Sequence, residues 1–363
     1  MNDDLVFHHI TPQQIEIHIQ EKLLQTLEDI PVFRDVNVFR SIDTRYDLEA
    51  LVVTESDESF YMICEVKSKG EPHYVRKAAQ QLLNIKKNLQ DKGHECYCLI
   101  GAPYISEASS NICEELGIGF IDLSGNCKIH YKSLYISVEG KPNKYKEKRA
   151  RSSIFERSSV KSSIILRNLL SDPLKQWKGQ ELADISSCST GQISKVKKYL
   201  VEREYAIEGG QGFFVSKPKE IIREWAKVYH SKPNTVYDCY ALDAIPRIEQ
   251  KLAEMKEKTG IEYALTGFSG GVRYAPTVRY NKVHVYIPMQ DFPEAIELLG
   301  CKRVDSGSNL TIIVPYDPCV MLDVRNINGN QVASPVQVCL DLLGLKGRGE
   351  EAAYAILDKE FSK

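Results

Sequence analysis

Asp47 is followed, after a gap of 17 residues, by Glu65-Val66-Lys67. Two carboxylates and an ammonium are the groups that metal-assisted phosphodiester cleavage uses. Asp47 and Glu65 would hold Mg²⁺, which polarises the phosphate and lowers the pKa of an attacking water. Lys67 would orient that water or hold charge in the transition state. Asp43 competes with Asp47 for the first position, and a plain strand-end salt bridge from Glu65 to Lys67 or a neighbour is the structural alternative. A second set of residues has the chemistry of binding rather than cutting. Ser189, Thr190, Gln192, Ser194, Lys195, Lys197 and Lys198 are interleaved with apolar Ile193 and Val196. Their hydroxyl and amide groups can reach base edges or phosphates, and the lysines can neutralise phosphates. Thr190 or Ser189 can cap a helix whose free N–H groups and dipole also favour a phosphate.

Residues 1–140 must position the first set, and they read as mixed α/β. Ile15, Ile19, Leu23, Leu24 and Leu27 recur at helical spacing. Strands are expected over 48–53 and 60–66, separated by the turn-rich 56–59. Side chains alternate along a strand, so Glu65 and Lys67 share a face that an adjacent strand bearing Asp47 can also reach. A helix over 74–89, a strand over 96–100, a helix over 106–116 and further strands ending near 138 complete the segment. Asp47, Glu65-x-Lys67 and the glutamines Gln80 and Gln81 on the following helix resemble the PD-(D/E)xK nuclease superfamily. That resemblance implies a nuclease-like α/β sandwich with Asp47, Glu65, Lys67 and Gln81 as its catalytic set if it is active, and Asp47 and Glu65 as the metal ligands. Glu16 or Glu21 would take the helical acidic position. Tyr46 stands where the superfamily usually has proline.

The second set sits in 158–235. A helix over 162–170 carries Ile164, Ile165, Leu166, Leu169 and Leu170. A short helix over 181–185, a turn over 186–190 and a third helix over 191–204 follow. Ile193, Val196, Tyr199, Leu200 and Val201 form the apolar side of that third helix. Residues 204–215 then read strand, glycine turn, strand: a wing with Gln211 at its tip, placed to enter a minor groove. This order predicts a winged helix-turn-helix that binds duplex DNA; the alternative is a module for packing or dimerisation. The preceding 141–157 hold seven Lys or Arg and two Glu. They read either as a solvated tether or as a basic arm along DNA phosphates.

Residues 236–363 return to α/β, with a helix over 243–258, a strand over 263–265, a glycine-rich turn over 267–271 and a strand over 283–287. Gly267-Phe-Ser269 resembles the Gly-Ser phosphate-binding turn of nucleotidyltransferases. Working versions of that fold then place two aspartates, one residue apart, on the next strand to bind two Mg²⁺. Here that strand is Asn281-Lys-Val-His-Val-Tyr286, with no Asp or Glu between Val272 and Gln290. Asp323 remains for the third acidic position. The expectation is a degenerate nucleotidyltransferase-like domain without nucleotidyltransferase activity, the alternative an unrelated α/β domain. The chain as a whole is thus expected to be α/β and multidomain.

Composition excludes several classes. With 47 basic against 49 acidic side chains, any nucleic-acid footprint must be a local patch. The 10 cysteines include no Cys-x-x-Cys, and Cys96-x-Cys98 is too tight for the usual zinc spacing, so buried free thiols are expected. His-Glu-x-x-His and the Gly-Lys-Ser/Thr phosphate loop are absent, and Gly117-Ile-Gly119 lacks the third glycine of a dinucleotide fingerprint. Apolar runs are too short to span a membrane, and Met1-Asn2-Asp3-Asp4 does not open a signal peptide, so a cytoplasmic location is expected.

In order, the three segments resemble long-form AbiEi-type antitoxins of bacterial type IV toxin–antitoxin systems. The residues that carry this are Glu65-Val-Lys-Ser-Lys-Gly-Glu-Pro72 with Ala78-Ala-Gln-Gln-Leu82, Gly119-Phe-Ile-Asp-Leu-Ser-Gly-Asn126, and the segment around Ser194-Lys195-Val196. Tyr263-Ala-Leu-Thr-Gly267 and Ser334-Pro-Val-Gln-Val338 with Asp341-Leu-Leu343 add to it. The resemblance implies a transcriptional repressor that binds its own promoter and opposes a separate nucleotidyltransferase toxin. Duplex DNA and that toxin are the implied partners, with homodimerisation common among winged-helix regulators, although no heptad pattern supplies an interface. Regulation requires no cofactor; Mg²⁺ enters only if the nuclease-like site acts. The rival reading is a Mg²⁺-dependent DNA endonuclease of restriction or defence type steered by the winged helix, and a third is an inert interaction scaffold.

Overall fold

The computed structural model describes residues 10–132, 134–145, 154–155, 160–229, 234–345 and 347–362. The chain is a mixed α/β multidomain protein. It divides into two compact units: residues 1–150 with 202–204, and 151–201 with 205–363.

The first unit runs α1 (Pro12–Glu28), β1 (Phe33–Arg40), β2 (Leu48–Thr54), β3 (Ser59–Val66), α2 (Pro72–Gln90), β4 (Tyr97–Ala102), α3 (Glu107–Glu115), β5 (Gly119–Asp122), β6 (Cys127–Tyr131) and β7 (Leu134–Val138). Its seven strands lie in chain order in one sheet. The β3–β4 and β4–β5 pairs are parallel and the others antiparallel. Thr11 starts α1 with a capping box: its hydroxyl accepts the Gln14 N–H at 3.3 Å, and the Gln14 side chain accepts the Thr11 N–H at 2.9 Å. Alternation along the strands divides the interior. Leu48, Ala50, Val52, Met62 and Cys64 pack with Ile15, Ile19, Leu23 and Leu27 of α1. Ile63, Cys98 and Ile100 point the other way, onto Val75, Ala78, Ala79 and Leu82 of α2. Strand β1 was not anticipated from the sequence, because Arg34, Asp35, Asn37 and Arg40 obscure its pattern; it is an edge strand held by β2.

The second unit opens with α4 (Val160–Ser171), α5 (Gly179–Ser186), α6 (Thr190–Glu202), the hairpin β8 (Ala206–Gly209) and β9 (Gly212–Val215), and α7 (Pro218–Tyr229). It continues with β10 (Thr235–Ala241), α8 (Ile245–Thr259), β11 (Ala264–Thr266), α9 (Gly267–Tyr274), β12 (Val283–Tyr286), α10 (Phe292–Leu299), β13 (Cys301–Arg303) and β14 (Leu310–Val314). A 3₁₀ turn (Pro318–Met321), β15 (Arg325–Ile327), β16 (Asn330–Val332), α11 (Pro335–Leu343) and α12 (Arg348–Glu360) complete it. The larger sheet has the order β13-β10-β14-β12-β11-β16-β15. One hydrophobic core joins Leu166, Leu200 and Trp225 of the helical part to Tyr286, Val338 and Ile356 of the α/β part.

One expectation is corrected. The glycine-rich 267–271 is not a turn but the start of helix α9. A Cβ on Gly270 would lie 2.7 Å from the Leu265 carbonyl oxygen, so glycine is what lets this helix press against β11. Within 141–157, which reads as a solvated tether or a basic arm, several of the described residues are engaged with the fold. The Lys141 N–H donates to Asn126 Oδ1 at 2.8 Å, and the Lys144 N–H to Ser124 Oγ at 3.2 Å. Ile154 and Phe155 are buried, with Phe155 edge-on to Tyr199 and stacked on Trp225. The basic residues Lys146, Lys148, Arg149, Arg151 and Arg157 lie outside the described residues. All ten cysteines are free, and nine are buried.

Candidate functional site

In the first unit, the antiparallel register of β2 and β3 pairs Leu48 with Cys64, so Asp47, one residue earlier, stands opposite Glu65. The Asp47 N–H donates to the Cys64 carbonyl at 3.0 Å, and Asp47 Oδ2 accepts the Val66 N–H at 2.7 Å. Glu65 is 6% exposed. Burial pushes its carboxyl above the ordinary carboxylate range, and Asp47 adds to the rise. Hydrogen bonds from Lys67 and Gln81 oppose it. Lys67 Nζ donates directly to Glu65 Oε1, and Gln81 Nε2 donates to the Arg45 carbonyl at 2.6 Å. The fold therefore gathers Asp47, Glu65, Lys67 and Gln81, while Gln80 is exposed.

Asp43 is not part of this group: the Arg45 guanidinium grips it at 2.5 Å and holds its carboxyl below the usual range. Glu16 pairs with Arg40 at 2.7 Å and Glu21 with His18 at 3.2 Å. Among the described residues no group of three or more His, Cys, Asp or Glu could hold a metal ion. The donor set is thus two carboxylates. Mg²⁺ is commonly held by one or two carboxylates, with water and substrate phosphate completing its shell, so the pair fits that ion. The Lys67 ammonium already sits on Glu65 and would share that carboxylate with a cation.

In the second unit, α4, α5 and α6 form a tri-helical core with a wing. Ser187 adopts the left-handed conformation (φ 49°) that ends α5, and the Cys188 N–H closes the turn on the Ala183 carbonyl at 2.9 Å. Ser189 caps α6. Its hydroxyl accepts the Gln192 N–H at 3.4 Å, while its own N–H donates to the Gln192 side chain at 3.2 Å. Two of the side chains expected to reach DNA, Ser189 and Gln192, are thereby engaged in a reciprocal cap. Ile193, Val196 and Leu200 are buried. Thr190, Gly191, Ser194, Lys195 and Lys198 are exposed and follow one another at helical spacing along a single face.

The wing is a tight hairpin in which Gly209 pairs with Gly212, leaving Gly210 and Gln211 at the tip; Gln211 is exposed. The segment before α5 adds a third rung: the Trp177 N–H donates to the Phe213 carbonyl at 2.8 Å, and the Phe213 N–H returns to Trp177 at 3.1 Å. Lys197 is not directed to solvent alone. Its ammonium donates to Glu208 of the wing and stands 5.6 Å from the centroid of the Phe213 ring. Sequence reasoning missed Glu208, because a partner eleven residues away across a turn leaves no periodic signal.

In the α/β part, the Ser269 hydroxyl is committed to backbone. It donates to the Thr266 carbonyl at 2.9 Å or the His284 carbonyl at 3.0 Å, and accepts the His284 N–H at 3.0 Å. The His284 ring covers Gly267, where an added Cβ would lie 3.3 Å from its Cγ. Burial pushes the His284 imidazole pKa down. Lys282 donates to Asp238 at 2.6 Å, and Thr311 to the same carboxylate oxygen at 2.7 Å. Asp323 pairs with Arg325 at 3.1 Å. Among the described residues, no helix is long and apolar enough to cross a membrane.

No curated protein matches the chain. Two solved structures do, EndoMS in apo form and an EndoMS-dsDNA2 complex, each 18% identical with a TM-score of 0.22. They cover 32% and 34% of this chain, which spans about half the length of each (48%). A likeness at that TM-score carries no argument. Residues 214–362, from the second wing strand to the end of the last helix, match the family model of the AbiEi antitoxin, a transcriptional regulator of type IV toxin–antitoxin systems.

Proposed function

We propose that this protein is a DNA-binding transcriptional regulator of AbiEi antitoxin type that docks α6 in a major groove of duplex DNA. The family match over 214–362 supports the regulator class. The observation that carries the DNA contact is the exposed face of α6, with Thr190, Ser194, Lys195 and Lys198 beside a glycine-tipped wing. The free N–H groups at the start of the helix and the Lys195 ammonium would hold phosphates, Thr190 and Ser194 would face base edges, and Gln211 would follow the adjacent minor groove. Ser189 and Gln192 would serve as the cap that sets the helix start. The implied partners are the protein's own promoter, a nucleotidyltransferase toxin whose effect it opposes, and a second copy of the chain. The test is binding to duplex DNA from upstream of its own gene, followed against salt. Affinity should fall with a log–log slope of about −0.9 per phosphate contact. Absence of binding, or binding without salt dependence, would sink the reading.

The gathering of Asp47, Glu65, Lys67 and Gln81 favours a second reading, a Mg²⁺-dependent endonuclease steered by the winged helix. Asp47 and Glu65 would hold the ion, which when bound would polarise the scissile phosphate and acidify a water. Lys67 would supply positive charge at the phosphate, and Gln81 would fix the Glu65 carboxylate. Plasmid and linear duplex should then be cut with Mg²⁺ or Mn²⁺ by the wild type and not by Lys67→Ala. Independently of cleavage, Mg²⁺ should raise the melting temperature of the wild type and not of Asp47→Asn. A folded, DNA-binding protein that shows neither effect leaves the regulator reading alone.

A further inference from the structure

We infer that Glu208 on the wing is a built-in substitute for a DNA phosphate: it occupies Lys197 in the free protein and so weakens the hold of the winged helix on duplex DNA of any sequence. The proposal rests on the DNA-binding reading above. Lys197 lies on the flank of α6 that turns toward the wing, and its ammonium is bound by the Glu208 carboxylate and faces the Phe213 ring. Glu208 pairs with Phe213 across the hairpin, so one rung of the wing presents both groups to the lysine. The Lys197 and Glu208 side chains are 31% and 57% exposed, and this ion pair therefore lies where an incoming phosphate can compete for it. A carboxylate and a phosphate oxygen offer an ammonium the same kind of charge-assisted hydrogen bond.

Lys195, two residues earlier on the same helix, is exposed and has no ion-pair partner among the described residues. The two lysines thus differ in availability although their sequence surroundings are alike. Lys195 can meet a phosphate without losing anything, whereas Lys197 must first give up Glu208. The wing carboxylate thereby discounts contacts made by charge alone and leaves base readout as the larger share of the binding free energy.

The test is a double-mutant cycle on a mixed-sequence duplex, with wild type, Glu208→Gln, Lys197→Ala and the double variant followed by fluorescence anisotropy between about 50 and 200 mM salt. Glu208→Gln should bind more tightly than the wild type, with a salt slope steeper by about 0.9, one additional phosphate contact. In the Lys197→Ala background the same change should give no gain. A gain that persists without Lys197 would mean that Glu208 merely repels DNA, and would overturn the proposal. So would Glu208→Gln binding just as the wild type does. Failure of all four proteins to bind any duplex would remove the DNA-binding reading and this proposal together, whereas equal binding by all four would remove the proposal alone.

Discussion

The Arg167 guanidinium in the first helix of the winged-helix core donates to the side-chain oxygen of Gln337 in α11 at 2.6 Å. Arg167 is 4% exposed and Gln337 fully buried. Gln337 also donates to Tyr229 and Tyr286, each at 2.9 Å, and Tyr286 reaches Asp341. The guanidinium lies 5.2 Å from the Trp225 ring. The winged-helix core and the α/β part of the second unit thus share a polar network inside a common hydrophobic core. A rearrangement at Gln337 would be felt by the helices that support α6.

That network predicts joint unfolding. Arg167→Ala leaves Gln337 without its charged donor and should cost about 1.5–3 kcal/mol. Both tryptophans of the chain, Trp177 and Trp225, lie in the winged-helix core. Their fluorescence in a urea titration should show one transition, coincident with far-UV circular dichroism of the isolated second unit if that unit folds alone, or of its share in the full chain. A winged-helix transition that Arg167→Ala leaves in place would show that the two parts are not coupled.

Gly212 should tolerate no side chain. Its φ is 152°, and a Cβ there would lie 2.4 Å from the Trp177 carbonyl oxygen. Gly212→Ala must break the Trp177–Phe213 rung or strain the wing, at about 1–3 kcal/mol. The Trp177 emission should shift to the red and DNA affinity should fall. Gly210→Ala, where an added Cβ meets nothing within 4 Å, is the control and should leave both unchanged.

The cap at α6 separates two roles for Gln192. If it fixes the helix start, Ser189→Ala and Gln192→Ala should each lower stability, Ser189→Ala by about 1 kcal/mol, without changing which base pairs are preferred. Ser194→Ala should alter sequence preference with little effect on stability, and Lys195→Ala should weaken binding to all duplexes and flatten the salt slope by about 0.9. A change of base preference in Gln192→Ala would return that side chain to the groove.

Glu65 should give the first unit a pH signature. Burial raises its carboxyl above the ordinary 4.5. A raised acid binds its proton more tightly folded than unfolded, so its contribution to stability is full below about 4.5 and is lost as pH rises through the raised value. Glu65→Gln lacks that loss. Measured from about pH 4 to pH 8, its stability relative to wild type should therefore increase with pH. A difference that does not vary with pH would mean that the pairing with Lys67 cancels the effect of burial.

Cys188 is the one cysteine that is not buried. A thiol reagent added to the native protein should label about one equivalent rapidly and the remainder only on unfolding, since buried thiols are inert. Cys188→Ser should abolish the rapid phase. Several rapid equivalents would contradict the packing around Cys96, Cys98, Cys239 and Cys301.

The sequence alone determined what is local. Helical spacing of Ile15, Ile19, Leu23 and Leu27 marked α1, and alternation marked β2 and β3. The run of Ile193, Val196 and Leu200 separated the buried from the exposed side of α6, while the glycines of 209–212 marked the wing. Each is a pattern that the backbone period writes into neighbouring residues. Tertiary structure decided what depends on residues distant in sequence. Register across β2 and β3 brought Asp47 rather than Asp43 to Glu65, and packing against β11 made a helix of a glycine-rich stretch. A long-range contact brought Phe155, in a segment that reads as a tether or a basic arm, to Trp225, and the hairpin turned Lys197 toward Glu208 while leaving Lys195 exposed. Propensity and periodicity cannot anticipate these outcomes, because each is set by which surfaces meet when apolar area is removed from water.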